Sequence, residues 1–342
     1  MEFLEIDGSF GEGGGQIVRT AITLSCILNQ PITIKNIRNN RKNPGLKPQH
    51  FTALKILKKI CNADIGQTKV GDTSLKFIPN DVQSIELNEN VGTAGSISLI
   101  IQVLIPVIAI CKKKLKLTII GGTNVLWSPT IDYTQFVLRE AYARMGIFFS
   151  INIIKRGYYP KGGGIIELEV SPSDKINPII LNRRKLKKAK IIATFSKQVP
   201  VVINNQINHF EKKLIENNFT VETEIKEEPT FDSGASLMIC SIDNDSIIGL
   251  DSIFNNKTKN FDIDLVNFIQ NDFSLDDQLA DMLVLPASLA SGITIFQVKN
   301  ISKHLETNLF VASKITGCKY GIGKLKEGFE VRIEGISYSS IK

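Results

Sequence analysis

The rest of the chain is organised around the stretch Asp7-Gly8-Ser9-Phe10-Gly11-Glu12-Gly13-Gly14-Gly15-Gln16-Ile17-Val18-Arg19-Thr20. Five glycines fall between Gly8 and Gly15. Because glycine allows positive φ and close backbone approach, the stretch predicts a tight turn that brings main-chain N–H groups near a ligand. Asn29-Gln30-Pro31 then ends a predicted helix. The apolar residues of that helix recur at helical spacing: Ile17, Ala21, Leu24 and Leu28.

This turn has the features of an anion site. A glycine turn that opens onto a helix N-terminus suits a phosphate, and Arg19 could form a bidentate contact to it. Glu12 beside phosphates indicates a divalent cation between them. A glycine-rich hairpin with a solvated Glu and Arg is the alternative. No Gly-Lys-Ser/Thr follows, so the turn is not a Walker A loop, and it does not fit the Rossmann pattern either.

Composition sets the class of protein. The 342 residues suggest roughly two domains, and 43% hydrophobic with 22% charged residues is typical of a soluble globular protein. Glu2, Glu5 and Asp7 interrupt any apolar signal sequence. The most apolar run, residues 97–111, contains Gln102 and is too short to span a bilayer. We therefore expect a cytoplasmic protein with no membrane partner.

The charge balance is basic, with a net charge of +7 and a pI near 9.0. This favours polyanions such as nucleic acid or nucleotides, although a basic surface can also serve solubility alone. Aromatic residues make up 7% of the chain, which gives little support for extensive base stacking. Five scattered cysteines and three histidines argue for buried thiols and against a zinc site.

Strand and helix patterns alternate along the chain. Two strand–helix–strand–helix–strand–strand rounds are visible before residue 170, which is a weak internal repeat. Charge and Asn density rise from about Asn182, where a β-α-β-β insert is predicted. A third round resumes afterwards. The predicted organisation is a large domain of residues 1–181 and 272–342 with an inserted small domain of residues 182–271.

Candidate chemistry starts with His304, near the start of a helix opened by Ser302. The positive end of a helix disfavours imidazolium, so a neutral, nucleophilic histidine is expected there, beside a natural phosphate site. This combination suits nucleophilic attack on a phosphoryl group. A surface or capping histidine is the alternative.

Two other segments carry candidate ligands. The loop from Arg38 to Lys47, followed by His50, is either a phosphate clamp or a solvated basic loop. Residues 274–278 precede a helix, where Asp276 or Asp277 could cap it or contact a nucleotide or metal. Glu12 with one of these acids would form an oxygen-rich Mg²⁺ or Mn²⁺ site.

These signals together resemble the RNA 3′-terminal phosphate cyclase family. The match covers nearly the whole chain in order, and Asn39-Asn40 departs from it where small residues are expected. The matching motifs are Gly11 to Arg19, Ile37-Arg38 with Arg41, Pro44-Gly45-Leu46, Gln49-His50, Gly95-Ser96 with Gln102, Ser128-Pro129 with Asp132-Tyr133, Tyr159 to Gly164, Asp277-Gln278 and His304 to Asn308.

The resemblance implies a fold and a reaction. The fold would be three βαβαββ units, similar to EPSP synthase, with a thioredoxin-like β-α-β-β domain inserted in the third. His304 would attack the α-phosphate of ATP, giving a histidyl–AMP intermediate. AMP would pass to an RNA 3′-phosphate end as RNA-pp-A, and the 2′-OH would displace it to leave a 2′,3′-cyclic phosphate.

The resemblance also implies roles for residues. Glu12 would ligate Mg²⁺ or Mn²⁺. Phosphates would be held by Arg19, Arg38, Arg41 and His50. The adenosine pocket would be lined by Gln102, Pro129, Tyr133, Ser274, Leu275, Asp276, Asp277 and Gln278.

Three competing functions are weighed against this enzyme. A non-catalytic ribosome-assembly relative lacks the nucleophilic histidine, whereas His304 is present here. An enolpyruvyl-type transferase on the same architecture is disfavoured by the arginine-poor second half and the His-centred motif, and a plain RNA-binding scaffold by the low aromatic content. A homodimer is left open.

Overall fold

The structure is a computed structural model that describes residues 2–196 and 202–338. The strands are β1 (Leu4–Asp7), β2 (Ile32–Lys35), β3 (Leu75–Phe77), β4 (Ile85–Asn90), β5 (Leu115–Gly121), β6 (Phe149–Lys155), β7 (Gly164–Val170), β8 (Lys188–Phe195), β9 (Thr220–Glu227), β10 (Ala235–Ile242), β11 (Ile247–Asn255), β12 (Asn260–Phe261), β13 (Ile293–Val298), β14 (Lys319–Lys324) and β15 (Phe329–Glu334).

The helices connect these strands. They are α1 (Gly15–Leu28), α2 (Pro48–Cys61), α3 (Ile97–Ile110), α4 (Ile131–Tyr133), a π-helical turn (Thr134–Leu138), α5 (Arg139–Arg144), α6 (Val202–Glu216), α7 (Leu265–Gln270), α8 (Asp277–Leu289) and α9 (Lys303–Thr316). No helix within the described residues is both long and apolar enough to cross a membrane.

The mixed α/β class is confirmed, and the predicted repeat is clearest in the second unit. Its sheet has the order β4-β5-β7-β6, and its elements follow one another as βαβαββ. The first sheet is β1-β2-β3 and the third is β13-β15-β14. Isolated bridges at Asp64↔Ile78 and Ile180↔Ile295 lie where the remaining strands of these two units are expected.

The helices pack together in one large core. The predicted stripe on α1 is buried, and α1 ends at Asn29, whose left-handed backbone caps the helix. Helix α3 is apolar almost all round and buried, as its sequence predicts, and Ser96 caps its start. Helix α1 packs against α3 and α9, and α9 packs against α8. These contacts bring the N-termini of α1 and α9 together.

The region after Asn182 has its own sheet and its own apolar core. The strands lie in the order β12-β11-β10-β8-β9, and buried Ile191, Ile207 and Leu237 belong to a second hydrophobic cluster. The predicted β-α-β-β elements are present as β8, α6, β9 and β10, but β11, β12 and α7 follow them. The boundaries 182 and 271 stay a prediction.

Arg156 joins this region to the large domain. Its side chain is 1% exposed, and its guanidinium donates to both carboxylate oxygens of Asp132 at 2.6 and 2.7 Å. On the other side it donates to Glu228, which follows β9. Burial lowers the pKa of Arg156, but the two carboxylates outweigh burial and raise it overall. The insert is therefore held to the second unit by a buried, paired charge.

The cysteines behave as the sequence predicts. Cys26, Cys61, Cys240 and Cys318 are buried thiols, and none of the five forms a disulfide. The sulfur atoms of Cys26 and Cys61 lie 3.8 Å apart between α1 and α2.

Candidate active site

The N-terminus of α1 is open to a ligand. Gly14 is its N-cap, and no side chain caps the helix there, whereas Ser96, Asp276 and Ser302 cap α3, α8 and α9. Gly11 and Gly13 have φ of +56° and +61°, which explains the glycines of the turn. The N–H of Glu12 donates to Thr307 Oγ1 at 3.1 Å, so α9 anchors the turn. The helix thus presents unpaired N–H groups beside α9.

His50 faces the same helix end. It is 2% exposed, and its Nδ1 accepts from the backbone N–H of Lys47 at 3.1 Å. The ring proton therefore sits on Nε2, which touches Gly15 so closely that a Cβ there would collide with it. Burial, followed by the charges of Arg19 and Arg38, keeps the pKa of His50 well below its usual value. His50 is a neutral Nε2–H donor at the start of α1.

Arg19 lies one turn into α1, close to His50. Burial lowers the pKa of its guanidinium to about 10, and the nearby carboxylate of Asp281 opposes that shift. Arg19 stays charged at neutral pH, yet no hydrogen-bond partner for its guanidinium is found among the described residues. Together with the N–H groups of α1 and His50, it forms a cluster of donors with unused capacity for an anion.

His304 is oriented by a chain of two side chains. Its Nδ1 lies 2.6 Å from Gln16 Oε1, and Gln16 Nε2 donates to Asp281 Oδ1. A carboxylate can only accept, so Asp281 turns the amide of Gln16 to present its carbonyl to the histidine. That carbonyl requires a proton on Nδ1 of His304. The lone pair is consequently on Nε2, and the side chain of His304 is about half exposed.

The electrostatics of this chain keep the histidine neutral. Burial lowers the pKa of His304, Asp281 opposes the shift, and Arg19 and Arg41 add to it. Burial raises the pKa of Asp281 to about 6, while His304, Gln16 and Arg19 partly offset the rise. At neutral pH, Asp281 is ionised and His304 carries a lone pair, which is the state needed for nucleophilic attack.

Glu12 lies between these groups. Its carboxylate pairs with Arg41 and is 3.7 Å from Nδ1 of His304. Both carboxylate oxygens are buried; Oε1 is the atom that pairs with Arg41, and Oε2 accepts no hydrogen bond from the described residues. Arg38 instead donates to the carbonyls of Asn43 and Gly45, and so braces the basic loop.

The residues present fit a divalent cation only in part. Among the described residues, no group of three or more His, Cys, Asp or Glu could enclose a metal. Mg²⁺, however, commonly binds one or two carboxylates together with substrate phosphates and water. The Oε2 atom of Glu12, which accepts no hydrogen bond from the described residues and lies beside the donor cluster of α1, suits that kind of site.

A second cavity, of about 210 Å³, opens at the start of α8. Its lining includes Tyr133, Asp276, Gln278, Lys299 and Asn300. The hydroxyl of Tyr133 donates to Asp276, whose oxygens also accept from Gly249 N–H and cap α8. Burial raises the pKa of Asp276 to about 6. Asn300 precedes His304 by four residues, and Asp281 follows Asp276 by five, so the cavity and the histidine are both placed by the starts of α8 and α9.

Comparison with known proteins identifies the family. The family model described as RNA 3'-terminal phosphate cyclase matches residues 10–322. This chain belongs to the RNA 3′-terminal phosphate cyclase family. A cyclase so named from Methanosarcina barkeri is 37% identical over 96% of this chain and 99% of that protein. One from Hyperthermus butylicus is 35% identical over 97% and 98%.

Among solved structures, an EPSP synthase from Acinetobacter baumannii matches with a TM-score of 0.22 and 9% identity, over 98% of this chain and 65% of that chain.

The structure brings most of the predicted cyclase residues into two adjoining sites. Glu12, Arg19, Arg41, His50 and His304 surround the N-termini of α1 and α9. Tyr133, Asp276, Asp277 and Gln278 line the cavity at α8. Pro129 immediately precedes Thr130, the N-cap of α4.

Three residues expected around adenosine do not line the cavity at α8. Gln102 lines a small cavity with Arg19 and Asp281, and its amide contacts Met282. Ser274 is fully buried, with its hydroxyl on the carbonyl of Gln297, and Leu275 is in the core.

The sequence reasoning missed Gln16 and Asp281. Gln16 was quoted within the opening stretch but given no role. Asp281 lies one turn after Asp277, and this i, i+4 spacing on one helix face was the available signal. The pairing of the two across 265 residues has no local signature.

Proposed function

We propose that this chain is an ATP-dependent RNA 3′-terminal phosphate cyclase that works through a histidyl–AMP intermediate. Family membership supports the overall activity. The observation that carries the mechanism is the chain Asp281–Gln16–His304, which leaves the Nε2 lone pair of His304 beside an uncapped helix N-terminus. A nucleophile next to a phosphate site is the arrangement that nucleotidyl transfer needs.

In the first step, Nε2 of His304 bonds to the α-phosphorus of ATP, and the bond from that phosphorus to pyrophosphate oxygen breaks. The proton stays on Nδ1 of His304 and donates to the side-chain carbonyl of Gln16. This hydrogen bond stabilises the positive charge that develops on the ring. The N–H groups of α1, Arg19 and His50 donate to phosphate oxygens. A divalent cation held by Glu12 would neutralise charge on the departing pyrophosphate. The cavity of Tyr133, Asp276 and Gln278 would receive the adenosine.

In the second step, an oxygen of the RNA 3′-phosphate attacks the same phosphorus, and the P–N bond to His304 breaks. The product is RNA-pp-A. In the third step the adjacent 2′-OH attacks the 3′-phosphorus and AMP leaves, which closes the 2′,3′-cyclic phosphate. Only the 2′-OH proton is lost, and the intramolecular geometry accelerates this closure.

The intact histidine array supports the enzyme over the non-catalytic ribosome-assembly relative. A cytoplasmic location and a homodimer stay predictions from the sequence.

The test is covalent labelling by α-³²P-ATP without RNA, with Mg²⁺ or Mn²⁺, for wild type and His304→Ala. We expect an acid-labile, alkali-stable label on wild type and none on the variant. His209→Ala, on the outer face of the insert, is the matched control and should label like wild type. Equal labelling of His304→Ala would move the nucleophile elsewhere, and an unlabelled but folded wild type would overturn the enzymatic proposal.

A further inference from the structure

The chain has one tryptophan, and it is almost fully exposed. Trp127 is 91% exposed and stands at positive φ in the loop that follows β5. Tryptophan carries a large apolar surface and is normally well buried, so such exposure calls for an occupant. Tyr159 and Phe231 are also more than half exposed, at 52% and 56%. We refer to Trp127, Tyr159 and Phe231 as the aromatic rim.

The loops of the aromatic rim meet at one end of the second sheet. The N–H of Tyr159 donates to the carbonyl of Asn124 at 3.1 Å, three residues before Trp127. The N–H of Phe231 donates to the carbonyl of Arg156 at 2.9 Å. The ring of Phe231 lies against Gly163, where an added Cβ would stand 2.8 Å from it. Three separate segments thus bring residues with exposed rings to the same end of the sheet.

The rim is also next to the donor cluster of α1. Gly162, in the loop of Tyr159, approaches Ala94 so closely that a Cβ would be 2.7 Å from its Cα. The adjacent Gly95 faces the side chain of Gln49 at 3.6 Å from such a Cβ. Gln49 precedes His50 on α2. Only the short loop before α3 therefore separates the aromatic rim from the phosphate-binding residues.

Cations accompany the rings. Lys155 Nζ stands 4.9 Å from the centre of the Phe231 ring. Lys161 is well exposed and lies 3.4 Å from Asp232. Flat aromatic faces interleaved with lysines are the chemistry by which proteins bind single-stranded nucleic acid without reading its sequence. The rings and lysines lie near the proposed phosphate site. This position suits an RNA strand whose terminal phosphate occupies that site.

We propose that the aromatic rim stacks on the unpaired bases that precede the 3′-phosphate of the RNA substrate, with Trp127 as the principal contact. This inference rests on the proposed cyclase function and names the part of the RNA that the protein holds. It restricts the substrate to a single-stranded 3′ end, because duplex bases have no free faces.

The single tryptophan makes a direct measurement possible. The intrinsic fluorescence of the protein is titrated with a short single-stranded RNA that ends in a 3′-phosphate, without ATP. Stacking on Trp127 should quench the emission in a saturable way. A hairpin RNA whose blunt, fully paired end carries the same phosphate should quench much less. Quenching by ATP alone, with none by RNA, would assign Trp127 to the nucleotide and overturn the proposal.

Variants separate stacking from chemistry. Trp127→Ala should weaken RNA binding about 5- to 100-fold, the range that one stacked base contributes. Trp127→Phe should restore most of the affinity. Self-adenylylation without RNA should be unchanged in both variants. Phe148→Ala is the matched control, because Phe148 is 55% exposed at the opposite end of β6, roughly 20 Å away.

The outcomes are distinguishable from failure of the proposed function. Loss of self-adenylylation in wild type would contradict the cyclase mechanism, whatever Trp127 does. Normal self-adenylylation with unchanged RNA affinity in Trp127→Ala would overturn the rim proposal alone. Equal weakening by Phe148→Ala would overturn it too, because the effect would then be general to exposed aromatics.

Discussion

Arg19 and Arg156 are both drawn into the protein, but they are paired in opposite ways. Arg156 donates to the carboxylates of Asp132 and Glu228, and these charges raise its pKa despite burial. For Arg19, the part of the chain that the structure describes offers the through-space attraction of Asp281 and no hydrogen-bond partner, and burial lowers its pKa to about 10. Among these residues the donors of Arg156 are occupied, whereas those of Arg19 are unused.

We interpret Arg156 as a structural arginine, and we propose that Arg19 is a binding one. A buried charge that is fully paired belongs to the fold, since removing it strands its partners. A partly desolvated charge with unused donors is in a high-energy state that an anion would relieve. The desolvation free energy of the Arg19 guanidinium would then be offset only when a phosphate binds to it. Substitution of Arg156 should accordingly lower stability, whereas substitution of Arg19 should lower self-adenylylation.

Arg156→Ala should have the largest effect on stability. Breaking a buried pair costs about 3 to 5 kcal/mol, because Asp132 is left buried without its partner. The free energy of unfolding from urea denaturation measures this loss. Arg156→Lys should lose less, since it keeps the charge but not the two-sided fork.

Arg332→Ala is the control, because Arg332 is an exposed arginine beside Glu330 and should change the free energy of unfolding by less than about 0.5 kcal/mol. A similarly small loss for Arg156→Ala would contradict the structural role and remove the contrast with Arg19.

Arg19→Ala should affect chemistry instead. Removing a donor aimed at developing charge typically lowers the rate by about 100-fold. Self-adenylylation with radiolabelled ATP measures this, at saturating and at low ATP. The free energy of unfolding should stay within about 1 kcal/mol of wild type, because no hydrogen bond of Arg19's guanidinium is broken.

Unfolding of Arg19→Ala to the extent seen for Arg156→Ala would contradict the proposed role of Arg19. Unchanged labelling by Arg19→Ala together with a loss of stability would contradict it as well. Arg19→Lys should recover the charge but not the bidentate geometry. Its labelling activity should therefore lie between those of wild type and Arg19→Ala.

Much of the fold follows from local signals in the sequence. The helices α1, α2, α3 and α9 are given by apolar spacing, glycine turns and capping residues. Strand β4 was missed because only two of its six residues, Ile85 and Leu87, are apolar. Strand β14 was missed because all six of its residues are exposed and two are glycine. The extra strand β11 was missed because Gly249, Asp251 and Ser252 interrupt its apolar residues.

The site was predictable only to the extent that its residues sit in motifs. Glycine turns and helix starts point to Glu12, Arg19 and His304 individually. The link from Gln16 to Asp281 depends on packing of α1 against α8 and α9, which no local pattern encodes. The aromatic rim could not be predicted from the sequence either, because the exposure of a side chain depends on the folded structure and not on composition.

The smallest predicted effect concerns the pH dependence conferred by Asp281. Its folded pKa of about 6 lies above the ordinary aspartate value, so folding is favoured when the group is protonated. Its contribution is fully present below about pH 4 and is lost as pH rises through about 6. Asp281→Asn should remove this fall, worth about 1 to 2 kcal/mol in the free energy of unfolding between pH 4 and 7.

The same variant should lower self-adenylylation at pH 7.5 by about 10- to 100-fold, as loss of an orienting partner does, because Gln16 is no longer turned towards Nδ1 of His304. Asp243→Asn is the control, because the contribution of Asp243 to the free energy of unfolding changes with pH in the opposite direction to that of Asp281. Burial acts to raise the pKa of Asp243, but its hydrogen bonds from backbone N–H groups outweigh burial and lower it, so its stabilisation is lost only as pH falls. If Asp281→Asn changed the stability profile while labelling stayed at the wild-type rate, Asp281 would be a buried acid of the fold, like the partners of Arg156. It would then not orient the nucleophile.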